Sequence, residues 1–128
     1  RARSRAAPEK EMIFNAEKLF NEIEYPALIH CKSGADRAGI MCALYMLIYE
    51  KEKPEIANKQ LSWQYLHVKW AKPGVLDSFV KEYGVEYKKS KQKFRDWVKK
   101  KYDPIMLEKN FRSIWWVNRL VDDILKRE

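Results

Sequence analysis

Residues 40–49 (IMCALYMLIY) are almost wholly apolar, and they follow a short stretch, residues 31–39, that holds Gly34 and Gly39. The apolar run is too long for a single strand and suits a helix buried on most sides. Just before the glycine stretch, residues 25–30 (YPALIH) are short, apolar and interrupted by Pro26, which reads as a buried strand. A strand, a glycine turn and a buried helix in succession form the usual frame for an anion site, because the helix N-terminus presents free N–H groups and a partial positive charge.

The turn itself carries the chemistry. His30-Cys31-Lys32-Ser33-Gly34-Ala35-Asp36-Arg37 fits the spacing H-C-x5-R with a central glycine. Five residues between Cys31 and Arg37 are enough for successive backbone N–H groups to curl toward one point. Arg37, in the first turn of the helix, adds a planar fork of donors matched to two phosphate oxygens. The field that attracts a phosphate dianion also lowers the pKa of a thiol at the floor of the nest, so Cys31 is the candidate nucleophile. His30 is placed to hydrogen-bond the loop backbone. Lys32 reaches the rim, where a second positive charge suits a substrate with more than one phosphate. Lys32, Ser33, Gly34, Ala35, Asp36 and Arg37, with His30, are the candidate substrate-binding residues.

These residues resemble the phosphate-binding loop of the cysteine-dependent protein tyrosine and dual-specificity phosphatases, of bacterial type. The resemblance is close at His30, Cys31, Gly34, Arg37 and Gly39, and extends more loosely through residues 60–77. It implies an α/β domain and a two-step hydrolysis of phosphate monoesters through a phosphocysteine on Cys31. The substrates it implies are phosphotyrosine or other phosphoproteins. Phosphoinositides, or a non-catalytic phosphate-binding role, are the alternatives. Gln60 and Gln64 are then candidates for positioning the hydrolytic water.

Two positions depart from the family pattern. Ala38 stands where members carry Ser or Thr, a hydroxyl that helps the cysteine sulfur leave in the second step. No aspartate precedes Cys31, whereas members supply a general acid from an upstream loop; the region here begins RARSRAAP. The acid is then expected either from a segment before Arg1 or from another residue; Asp36 is the best internal candidate, with a structural tie to a neighbouring element as its other reading.

The rest of the chain sets the frame. Its 128 residues make one domain of globular composition, 46% apolar and 13% aromatic. The basic excess, 26 Lys and Arg against 18 Asp and Glu, favours anionic partners. Cys31 and Cys42 alone cannot make a disulfide framework, which points to a reducing, cytoplasmic setting. His30 and His67 lie too far apart for a metal motif, and no cofactor is expected. No apolar run approaches the ~20 residues that span a bilayer.

Helices are expected from Pro8 through about Glu24, from Pro54 through Tyr65 and from Val75 to about Tyr83. Another is capped by Ser90, and a long one is opened by the Asp103–Pro104 pair and runs nearly to Lys126. The chain divides into residues 1–85, the C-terminal part of a phosphatase-like domain, and residues 86–128, a basic and aromatic helical extension packed on it. Only one strand is visible, so the remaining strands of an α/β sheet are expected before Arg1. Phosphorylated protein or phospholipid is the expected partner, and nucleic acid is not. In the C-terminal helix, Leu107, Phe111, Ile114, Val117, Val121 and Leu125 form a stripe that should pack on the domain. Trp116 on the other side suggests a peripheral membrane contact or a second copy of the chain.

Overall fold

The computed structural model describes residues 1–127. Helix α1 (Lys10–Glu22) precedes the loop, and α2 (Asp36–Ile48) leaves it. The short α3 (Pro54–Ala57) passes into two 3-10 turns, Asn58–Gln60 and Trp63–Tyr65. Helices α4 (Gly74–Ser90), α5 (Phe94–Lys100) and α6 (Pro104–Leu125) complete the chain.

The α/β expectation is overturned. Among the described residues there is no strand; the architecture is helical. Residues 27–30 run without regular structure and lie largely exposed, Leu28 at 86%. The reason is physical: a strand is stable only when its N–H and C=O groups pair with a neighbour, and no other segment among the described residues offers one. Apolar composition alone therefore could not make residues 25–30 a buried strand.

Helix α2 is the centre of the fold, as its apolar run requires. Ile40, Ala43 and Leu44 are fully buried, with α1 on one side and α3 with its following turn on another. Gly39 makes that second contact close. A Cβ there would stand 2.9 Å from the Gln60 carbonyl oxygen and 3.1 Å from Leu61 Cδ2. Any larger residue would push the start of α2, and Arg37 with it, away from the turn.

A second part of the same core is aromatic. Phe79 of α4 meets the Tyr102 ring edge-on at 4.9 Å, with Phe94 and Trp97 packed around them. Position 85/86 falls inside α4, and buried residues on both sides of it belong to one cluster. Ser90 closes α4 and bonds back to Glu86, so α5 starts later, with Lys93 at its N-cap. Asp103 does cap α6, accepting from the N–H groups of Ile105 and Met106. Only the beginning of the α6 stripe docks. Leu107 is buried and Phe111 half-buried, but Ile114, Val117, Val121 and Leu125 are exposed, as is Trp116.

The N-terminal arm is pinned across this body. The Ala7 N–H donates to Glu108 Oε1 at 2.9 Å, and the buried Tyr102 hydroxyl donates to the Pro8 carbonyl at 2.7 Å. Ala7 itself is buried, and Ala2 packs against the core.

Candidate active site

The loop from His30 to Ala35 turns on Gly34, whose φ of +73° is a left-handed conformation that a residue with a Cβ adopts only at a cost. Ala35 then stands at the N-cap of α2, which leaves the first-turn N–H groups without helical partners. Cys31 lies half-buried beneath them. Burial by itself raises the thiol pKa. Hydrogen bonds from the backbone N–H groups of Ala38, Ser33 and Gly34, together with the Arg37 charge, outweigh it and leave the pKa lowered. Ala38 carries no hydroxyl, yet its N–H reaches the sulfur.

Cys42, on the buried helix, behaves oppositely: burial pushes its thiol pKa up. A lowered pKa keeps the thiolate present toward lower pH, and the thiolate is lost as pH falls through it. Iodoacetamide at pH ~7 should therefore modify Cys31 before Cys42, by about tenfold for each pKa unit separating them. Peptide mapping by mass spectrometry after timed quenching reads the order, and prior labelling of Cys42 would contradict the electrostatics described here.

Asp36 opens α2 and accepts a hydrogen bond at 2.9 Å from His67 Nδ1. The His67 side chain is wholly buried, whereas Asp36 keeps 23% exposure. Sequence reasoning missed His67, since its pairing with Asp36 spans 31 residues and belongs to no short motif. The only available signal was that it is one of two histidines. Its Nε2 is buried without a partner. The His67 N–H is held by the Ser62 carbonyl at 3.1 Å, so the turn after α3 fixes the histidine that fixes the loop.

The remaining sequence candidates divide. Ser33 and Gly34 are exposed but direct their N–H groups at Cys31. Ala35 is buried behind the loop, and Arg37 is half-buried beside it. His30 and Lys32 are exposed at its edge. The Gln60 backbone packs on Gly39, while Gln64 is exposed on the second 3-10 turn. Among the described residues, no group of three or more His, Cys, Asp or Glu side chains converges as a metal site would. Among these residues, too, no helix is long and apolar enough to cross a membrane.

This arrangement can hold a tetrahedral dianion in front of a thiolate. No curated protein and no solved structure gives a significant match to the chain. A family model described as "Swiss Army Knife protein, DSP-PTPase phosphatase domain" (PTP-SAK) matches residues 3–76, more than half of the chain and all of the loop. The chain belongs to this PTP-SAK family of dual-specificity-type phosphatase domains.

Proposed function

We propose that the chain hydrolyses phosphate monoesters through a phosphocysteine on Cys31, and what supports this is the place of that thiol beside the N-terminus of α2, where backbone N–H groups and, to a smaller extent, the Arg37 charge lower its pKa. The thiolate attacks phosphorus; an S–P bond forms as the ester P–O bond breaks, and the leaving oxygen takes a proton from an acid. Water then attacks phosphorus, the S–P bond breaks, inorganic phosphate departs and the thiolate is regenerated. Arg37 spans two equatorial oxygens and follows their charge into the transition state. Phosphoprotein, phosphotyrosine included, is the general substrate class, and the basic surroundings of the loop favour phosphoinositides as a second reading.

The acid in this scheme is Asp36, the carboxyl group that opens α2 beside the loop. One of its oxygens is engaged with His67, and its remaining exposure keeps the group open to solvent. The test compares leaving groups. Asp36→Asn should slow hydrolysis of an alkyl phosphate by about 10²–10⁴, the usual contribution of general acid catalysis. It should slow p-nitrophenyl phosphate far less, since that leaving group departs with little protonation. Equal losses on both substrates would instead assign Asp36 to holding the loop through His67. Absence of phosphate release from every ester by wild-type protein that still binds oxyanions would favour the non-catalytic alternative.

A further inference from the structure

Beside the loop lies a cleft of about 760 Å³, lined by Arg1, Arg3 and Arg5 of the pinned arm and by Arg37. The arm alternates: Arg1, Arg3 and Arg5 are exposed, while Ala2, Ser4 and Ala6 are half-buried. With the arm held at Ala2 and Ala7, this alternation places the three guanidinium groups on the outer side, at a cleft that ends on the loop arginine. Two acids, Glu9 and Glu11, also line the cleft, so its lining keeps a positive excess. Arg3 lies 3.7 Å from Glu9, but both side chains are mostly exposed, at 73% and 62%. Such a pair is held weakly and gives way to a phosphate, which binds a guanidinium through shorter, charge-assisted bonds. Arg5 makes no ion pair among the described residues. The volume is that of a small-molecule site and far exceeds what one phosphate fills.

We propose that Arg3 and Arg5 form a second anion subsite, so that the preferred substrate carries a second phosphate group besides the one presented to Cys31. This rests on the phosphatase reading above and, within it, takes up the second substrate reading, the phosphoinositide type, rather than phosphoprotein. The arm, residues 1–8, carries three arginines and no carboxylate. Its chemistry is that of a clamp on a polyanion. The second phosphate belongs either to a soluble polyol or to a lipid headgroup, and recognition by guanidinium is the same for both.

The test measures phosphate release from an inositol monophosphate and an inositol bisphosphate in solution. A parallel arm uses phosphatidylcholine vesicles carrying the corresponding phosphatidylinositol mono- or bisphosphate. Wild-type protein should favour bisphosphate over monophosphate by at least about tenfold in kcat/KM, mostly through KM. In Arg3→Gln/Arg5→Gln that ratio should fall toward one, while the charge-matched surface control Lys89→Gln/Lys100→Gln should keep it. A preference confined to the soluble arm identifies a free polyphosphate, and one confined to vesicles identifies a headgroup; each supports the subsite. A wild-type ratio near one, or a ratio untouched by the arm substitutions, would overturn it.

Failure of the phosphatase reading is read separately. In that case Cys31→Ser leaves hydrolysis unchanged, or wild-type protein hydrolyses nothing. Calorimetry with inositol bisphosphate on the Cys31→Ser protein still reports the subsite without turnover. Binding tighter than inorganic phosphate and weakened by Arg3→Gln/Arg5→Gln supports it, and binding no tighter than inorganic phosphate overturns it.

Discussion

Cys31→Ser should lower hydrolysis of p-nitrophenyl phosphate by at least about four orders of magnitude, the scale on which removal of an enzyme's covalent nucleophile is felt. A serine hydroxyl at the same place would meet the same N–H groups, yet its proton is far too tightly held for them to remove. Ground-state binding should survive, because Ser33, Gly34 and Ala38 still present their N–H groups and Arg37 its fork. Binding of tungstate or phosphate within a few-fold of wild type, together with lost turnover, is the expected pair of results. Appreciable turnover in Cys31→Ser would remove the covalent mechanism.

Arg37→Lys is the second large effect, about 10²–10³ in kcat, comparable to removal of a donor that stabilises transition-state charge. Lysine keeps the charge but offers a point ammonium where two coplanar donors are needed. That separates the two contributions Arg37 makes. Its charge helps lower the Cys31 pKa alongside the backbone donors, so the pH profile of Cys31 alkylation should move little in the lysine variant. Turnover should fall steeply all the same. A lysine variant of near-normal kcat would mean that Arg37 acts only as a distant charge.

Legibility in the sequence followed the range of the interactions. Helix α1, the core of α2 and the start of α6 were readable, because periodicity and the Asp103–Pro104 cap act within a few residues. The loop was readable too, its spacing being local. Residues 25–30 failed as a strand because strand formation depends on a partner, which local composition does not report. The segment after Pro54 broke into a single α-turn and two 3-10 turns rather than one helix. In it the Leu66 backbone adopts a left-handed φ of 61° at the end of the second turn, a bend that ends any helix. His67 and the arm were invisible for a different reason. The Asp36–His67 bond and the Ala7–Glu108 bond join segments 31 and 101 residues apart, and no motif spans such distances. The outer half of α6 kept its periodicity but not its packing, since the helix extends past the body that covers Leu107.

In the proposed reaction phosphorus passes through the sulfur of Cys31. Wild-type protein mixed with phosphorus-labelled p-nitrophenyl phosphate and quenched with acid within milliseconds tests it most directly, followed by peptide mapping of the trapped label. Label is expected on the peptide containing Cys31, at its sulfur, decaying as inorganic phosphate appears, with no such label in Cys31→Ser. Turnover with no label on Cys31, or label on another residue, would contradict it.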